Sequence, residues 1–223
     1  MSTYLQTSKT MTPAESINSH RVLRNTYALL SMTLLFSAIT ASVSMALQLP
    51  HPGILLTLGG YFGLLFLTTR FRNSSLGLAF VFALTGFMGY TLGPILNSYL
   101  SVAGGSSLVM TAMGTTGLVF LSLSMLAWYS KKDFSFMGSF LMVGILVGFI
   151  SGLGAVFFEL PGLSLAVSAM FVLLMSGLIL YQTSEIIHGG ETNYIMATVS
   201  LFVAIFNLFT SLLHLLGFMN SGE

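Results

Sequence analysis

The chain has 223 residues, of which 55% are hydrophobic and 6% are charged, and its formal net charge is +1. Soluble domains carry about 25% charged residues because their surfaces face water, so this composition excludes a water-soluble fold. Cysteine is absent, which excludes disulfides and thiolate chemistry, and seven cations are too few to form a basic patch for nucleic acid.

Seven apolar segments follow one another along the chain, and we predict seven transmembrane helices in one all-α bundle. The approximate bounds of these segments are 23–47, 53–69, 76–97, 108–129, 134–158, 163–187 and 194–218. At 1.5 Å per residue they reach about 25–38 Å, which suits a hydrocarbon core of about 30 Å. The second segment is the shortest. Short loops containing Pro, Gly and Asn separate the segments, so we expect consecutive helices to pack as antiparallel neighbours.

The N-terminal segment, residues 1–20, precedes a seven-helix domain over residues 21–219. This segment is rich in Ser and Thr, poor in bulky apolar residues, and lacks the apolar core of a signal peptide. We therefore expect a flexible cytoplasmic tail. Two interpretations remain open, an inert tail and a handle for a cytoplasmic partner.

The cationic residues are distributed unevenly between the two sets of loops. They precede the first segment or lie between the second and third or the fourth and fifth: Lys9, Arg21, Arg24, Arg70, Arg72, Lys131 and Lys132. The opposite loops and the C-terminus contain no Lys or Arg. Because Lys and Arg near the ends of spans stay on the cytoplasmic side, this pattern predicts a cytoplasmic N-terminus and an external C-terminus.

Glycines at four-residue spacing mark faces where helices can approach closely. The fifth segment carries three of them, and the third and second carry two each: Gly144, Gly148, Gly152, Gly89, Gly93, Gly59 and Gly63. In lipid, such faces promote helix association through backbone contact. We interpret them as packing sites within the chain, with a homo-oligomer as the alternative.

Pro94 interrupts the third segment directly after Gly93. Proline removes a backbone donor, so we predict a kink or break in this helix. Asn97 follows three residues later and is expected to bond to a carbonyl that Pro94 leaves free. A structural kink and a gating hinge are the two interpretations.

The polar residues inside the predicted bundle are few. Glu185 is the one acid near the interior of an embedded helix, and Gln182 lies on the same helical face. Glu185 is interpreted either as a structural residue that pairs with Arg70, Arg72 or a lysine, or as a proton- or cation-sensitive gate. Asn207, in the middle of the last segment, is expected to bond to another helix.

Catalytic patterns are missing from the sequence. There is no HExxH motif, the four histidines are scattered, Asp133 is the only aspartate, and no Gly-x-Ser-x-Gly elbow occurs. We therefore predict no enzymatic activity, no cofactor and no metal site.

Several stretches resemble the Bax inhibitor-1 (transmembrane Bax inhibitor motif) family. They are the stretch Lys131-Lys132-Asp133-Phe134-Ser135-Phe136, the third-span residues 89–96 and the last-span residues 200–209. Two further stretches, Val22-Leu23-Arg24-Asn25-Thr26-Tyr27 and residues 186–195, which contain His188-Gly189-Gly190-Glu191-Thr192-Asn193, are similar to the bacterial YccA branch of that family. The resemblance covers about residues 19–218.

The resemblance implies a bundle whose last helix is central, with the other six wrapped around it. Many members resemble pH-sensitive calcium leak channels that are latched by two aspartates on the last two spans. This chain has Gln182 and Ala204 at those positions, so the latch and its calcium or proton dependence cannot be carried over, although Glu185 lies one turn from Gln182 as a partial substitute.

The YccA branch instead resembles a modulator of FtsH, a membrane-anchored ATP-dependent protease of the bacterial inner membrane. The resemblance therefore implies a multi-pass inner-membrane protein that binds this protease, surrounded by the lipid bilayer. The N-terminal tail would then be a grip for the protease, and the packed bundle behind it would resist extraction. A cation leak channel is the alternative function.

Overall fold

A computed structural model describes residues 13–130 and 132–221. Within these ranges the chain forms seven α-helices and one short 3₁₀ turn, with no β-strand. The helices are α1 (Pro13–Ala46), α2 (Ile54–Arg70), α3 (Ser75–Leu100), α4 (Gly105–Ser130), α5 (Gly138–Phe157), α6 (Pro161–Ile187) and α7 (Tyr194–Ser221), and the 3₁₀ turn Ser135–Met137 precedes α5. Each predicted apolar segment coincides with one of these helices.

Six of the helices are long and apolar enough to cross a membrane, and α2 is the shorter exception with 17 residues. At 1.5 Å per residue, α2 is about 26 Å long, slightly less than a hydrocarbon core of about 30 Å. The second segment is therefore the shortest, as predicted. The loops before and after α2 are both held by hydrogen bonds. Tyr90 Oη donates to the Pro50 carbonyl before the helix, and Asn193 Nδ2 donates to the Arg72 carbonyl after it.

The predicted boundary of the N-terminal tail is wrong. Helix α1 begins at Pro13, so residues 13–20 are helical and not a flexible extension. Proline is common in the first turn of helices, because its missing N–H has no partner there and its φ is already helical. The rest of the predicted tail, residues 1–12, lies outside the described residues.

Helix α7 occupies the centre of the bundle, as the resemblance implied. Helices α1, α3, α4 and α6 pack on it, whereas α2 packs on α3 and α5 packs on α6. Two of the six surrounding helices therefore form an outer layer. Several α7 side chains are almost completely buried: Leu201, Phe202, Ala204, Leu208 and Leu213.

The expectation that consecutive helices pack together holds for only part of the bundle. Helix α1 packs mainly on α3, and α4 packs on α6 and α7. The α1–α3 contact is close because glycines of α3 meet α1 directly. A Cβ on Gly89 or Gly93 would collide with the α1 residues Ser37 and Ser44.

The glycine run of α5 is used within the chain. A Cβ added at Gly148 would lie 2.9 Å from side-chain atoms of Met170 and Phe171 on α6, and one at Gly152 would lie 3.6 Å from Val167. Gly144 faces α6 in the same way. By contrast, the α2 pair Gly59 and Gly63 has nothing within 4 Å of its added Cβ positions.

Pro94 lies inside α3, which continues to Leu100. A residue with an N–H at position 94 would donate to the carbonyl of Tyr90, four residues earlier. Ser44 Oγ of α1 donates to that carbonyl instead, at 3.0 Å. The predicted role of Asn97 is therefore wrong. Its Nδ2 donates at 3.2 Å to the Met45 carbonyl in the last turn of α1, which also accepts a bond from the Gln48 N–H at 3.1 Å.

Candidate functional site at the charged end of the bundle

Three loops meet at one end of the bundle, and we call their surface, residues 71–74, 132–134 and 188–193, the charged face. The Phe134 N–H donates to Ser184 Oγ at 3.0 Å, which joins the α4–α5 loop to the end of α6. Asn193 Nδ2 donates to the Arg72 carbonyl at 3.1 Å and to Asn73 Oδ1 at 2.8 Å, which joins the α6–α7 loop to the α2–α3 loop. All cations that the structure describes lie on or next to these loops or at the start of α1: Arg21, Arg24, Arg70, Arg72 and Lys132.

Asn193 is the residue that fixes the start of α7. Its Oδ1 accepts hydrogen bonds from the N–H groups of Ile195 and Met196, at 3.0 and 3.1 Å. These bonds satisfy two of the four donors that the first turn of a helix leaves free. The same side chain therefore caps α7 and holds the α2–α3 loop. Asn before an apolar segment is a recognisable capping signal in the sequence, but the bond across to Asn73 is not.

The two glycines after His188 have different roles. Gly189 has a φ of 75° and ends α6 in the left-handed conformation that glycine adopts without steric strain. The Gly190 N–H donates to the Glu185 carbonyl at 2.8 Å, and the Glu185 carboxylate occupies the space that a side chain at position 190 would need. The loop conformation therefore depends on both glycines.

The structure does not support the predicted ion pair of Glu185. Among the described residues, no Lys or Arg nitrogen lies within 4.0 Å of its carboxylate. Arg70, one of the expected partners, is exposed, and its guanidinium lies 5.9 Å from the centre of the Phe71 ring. Glu185 is half-buried, and its carboxylate lies against Gly190 of the α6–α7 loop.

Asp133 organises the start of α5. Its Oδ1 accepts a bond from the Ser135 N–H at 2.9 Å and another from the Ser135 hydroxyl. The pKa of Asp133 lies below its ordinary value. The largest cause is the bond from the Ser135 hydroxyl, and the bond from the Ser135 N–H and the nearby His188 add to it. Because this pKa is depressed in the folded protein, the bonds stabilise the fold at pH values above the ordinary pKa of a carboxyl group. This contribution is lost as the pH falls through the folded pKa.

Three of the candidate latch positions, Gln182, Ala204 and Asn207, carry no ionisable group. Gln182 is 6% exposed and Ala204 is fully buried in the apolar core. Asn207 was expected to bond to another helix, but its Nδ2 donates at 2.8 Å to the Val203 carbonyl of α7 itself. An amide can reach the carbonyl four residues back without any partner helix. Across the described residues, no group of three or more His, Asp or Glu side chains could hold a metal ion.

Comparison with known proteins agrees with the helical architecture. Residues 19–221 match the family model described as "Inhibitor of apoptosis-promoting Bax1". The chain is 55% identical over 202 residues to "Modulator of FtsH protease YccA" of Escherichia coli K12, covering 91% of this chain and 92% of that protein. The "Inner membrane protein YccA" of Escherichia coli O6:H1 shows the same identity and coverage.

A more distant relative covers the chain just as fully. An "Uncharacterized membrane protein" of Vibrio cholerae is 43% identical over 216 residues, covering 96% of this chain and 97% of the relative. The matched residues include both the helical bundle and the charged face. The chain is therefore a multi-pass protein of the bacterial inner membrane that belongs to the Bax inhibitor-1 family, with YccA among its relatives.

Proposed function

We propose that this chain binds an FtsH-type membrane protease and inhibits it, and that the chain is itself a slow substrate gripped at its N-terminal residues. The observation that carries the proposal is the 55% identity, across 91% of the chain, to a protein named as a modulator of that protease. A protein that inhibits a protease by occupying it must bind the protease and must be extracted from the membrane only slowly.

The packing of the bundle supports slow extraction. A protease that pulls from the N-terminus must first remove α1, and α1 packs on α3, α6 and α7. Four α1 side chains, Thr26, Leu30, Thr33 and Ser44, are at most 2% exposed. Moving a large apolar side chain such as Leu30 from the bundle into water costs about 1.5–3 kcal/mol. The buried contacts of α1, which begin at Val22, therefore resist pulling.

The proposed orientation places the N-terminus and the charged face in the cytoplasm, where the ATPase domain of such a protease works. The described cations, clustered at this one end, support that orientation. Since α1 is helical from Pro13, we place the grip at residues 1–12 and not at the full 1–20.

The test is deletion of residues 2–12 with Arg21 and Arg24 retained. We expect the truncated protein to insert, to bind the protease in co-purification, to survive longer in a protease chase, and to inhibit more strongly than the full chain. The matched control replaces residues 2–12 with a Gly-Ser segment of equal length, which separates length from sequence.

The outcomes separate the parts of the proposal. Turnover of the truncated protein at the full-chain rate would move the grip to another segment, such as the 188–193 loop. Loss of co-purification on truncation would make the N-terminal residues the binding element. Unchanged protease activity with and without the bound full chain would overturn the proposal of inhibition.

The alternative function, a calcium or proton leak, is weakened by the residues at the latch positions. Two coupled carboxylates would titrate with shifted pKa values, but Gln182 and Ala204 have no ionisable group. We expect calcium flux from proteoliposomes to be weak and nearly flat between about pH 5 and 8. A steep leak that Glu185→Gln abolishes would make Glu185 the gate and would favour the channel.

A further inference from the structure

A cavity opens on the side of the bundle between α1 and α4, and we call it the α1–α4 groove. Its volume is about 400 Å³. Ala41 and Met45 of α1 form one wall, Met113 and Gly117 of α4 form the other, and Phe206 and Phe209 of α7 form the floor. Both α1 and α4 pack on α7 and not substantially on each other, so the groove exposes part of the central helix to the membrane.

The chemistry of the groove suits an apolar occupant. Two of its hydroxyl groups are already bonded within their own helices, Ser42 to the Ala38 carbonyl at 2.8 Å and Thr116 to the Ala112 carbonyl at 2.7 Å. The third, Ser37, lies against α3 beside Gly89. A water molecule or ion needs two to four polar partners, which these walls do not offer.

The dimensions of the groove distinguish between apolar occupants. Its lining on α1 runs from Leu34 to Met45, about 16 Å at 1.5 Å per residue. A helix with its side chains is about 10–12 Å wide, so 16 Å of helix would fill roughly 1,300 Å³ or more, several times the volume of the groove. A hydrocarbon chain fits, since carbon atoms pack about 3.5–4.0 Å apart.

We propose that the α1–α4 groove binds one acyl chain of a membrane lipid. The groove lies along the half of α1 that ends at Ala46, away from the charged face. In the proposed orientation the lipid therefore belongs to the outer leaflet. The proposal does not depend on binding to a protease.

The test uses vesicles of phosphatidylethanolamine and phosphatidylglycerol that contain a phospholipid with a diazirine in its acyl chain. After illumination, labelled residues are mapped by digestion and mass spectrometry. We expect label on Phe202, Ile205 and Phe209 of α7, because these residues line the groove and are otherwise enclosed by neighbouring helices, with at most 9% of each exposed. Lipid that only surrounds the bundle would label the outer surfaces of α2, α4 and α5 and the half-buried residues of α7, but not these three buried residues.

Two substitutions on one helix provide a matched pair. Neither Gly117 nor Gly114 has any atom within 4 Å of an added Cβ, so a larger side chain is accommodated at both without a clash at its first carbon. Gly117 lines the groove and Gly114 does not. Gly117→Leu should therefore abolish labelling of Phe202, Ile205 and Phe209, whereas Gly114→Leu should leave it unchanged.

Three results would overturn the proposal. They are absence of label on Phe202, Ile205 and Phe209 of the unmodified protein, equal labelling of those residues in the two variants, and cross-linking of this segment to a protein instead of a lipid in native membranes. Circular dichroism of both variants would first establish that each retains its helices.

Discussion

The bond from Ser44 to Tyr90 gives a test of how the bundle accommodates Pro94. Ser44 is 1% exposed, and its hydroxyl donates at 3.0 Å to the Tyr90 carbonyl, to which Pro94 cannot donate because it has no N–H. An unsatisfied buried polar group costs about 1–3 kcal/mol, whereas side-chain bonds between membrane helices average about 0.6 kcal/mol with a maximum of about 1.7. We therefore expect Ser44→Ala to lower the free energy of unfolding by about 1–2 kcal/mol.

The explanation requires that the effect depend on Pro94. In a Pro94→Ala background, the new N–H can donate to the Tyr90 carbonyl, so Ser44→Ala should then cost only a few tenths of a kcal/mol. The assay is equilibrium unfolding in mixed micelles for the four proteins of a double-mutant cycle. Ser42→Ala is the control, because Ser42 is an exposed serine of the same helix whose hydroxyl bonds to its own Ala38 carbonyl.

A coupling energy near zero would refute this reasoning. It would mean that Ser44 stabilises the α1–α3 contact by packing alone, independently of the carbonyl that Pro94 leaves free. A loss of stability in Ser42→Ala equal to that in Ser44→Ala would lead to the same conclusion, since the control serine makes no bond to α3.

Two further predictions concern the charged face and the α5–α6 contact. Asn193→Ala should lower the free energy of unfolding by about 2–3 kcal/mol, since it removes a helix cap and the bonds to the α2–α3 loop. Asn193→Asp keeps the capping oxygen and should lower it by only about 1 kcal/mol. Equal losses in the same micelle assay would argue against the bridging role. Gly148→Leu should destabilise the protein by about 1–3 kcal/mol or more, because its added Cβ meets Met170 and Phe171 of α6 at 2.9 Å. Gly154→Leu, where an added Cβ meets nothing within 4 Å, is the control, and an equal response of the two variants would contradict the packing.

The helices could be predicted from the sequence because each depends on its own composition. Apolar length and the glycine and proline residues in the loops locate all seven segments without reference to tertiary contacts. The start of α1 was missed for the same reason. Residues 13–20 are polar, so hydropathy excludes them from a membrane span, but it does not measure helix formation in water. The proline at the first helical position was the available signal.

The candidate site was harder to predict because its contacts join distant parts of the chain. Asn193 bonds to Asn73, and Ser44 bonds to Tyr90, and neither pair follows from spacing along one helix. The opposite error occurred at Asn207, where an interhelical bond was expected and the nearest carbonyl of its own helix was the acceptor. A polar residue in a span needs a partner, but the sequence alone does not determine whether that partner is local or remote.

The choice between a binding protein and a conduit depends on the groups that could hold an ion. An ion that crosses a membrane needs oxygen atoms that replace its hydration shell. In the described bundle, the hydroxyls of Ser42 and Thr116 and the amide of Asn207 instead donate to carbonyls of their own helices. Two buried hydroxyls, those of Thr26 and Ser124, lack a partner among the described residues, and they belong to different helices, α1 and α4. A hydroxyl that donates its proton in this way keeps the lone pairs of its oxygen. The latch positions, and not these bonds, therefore bear on the choice between the two functions, because Gln182 and Ala204 carry no carboxylate that could bind a cation or share a proton.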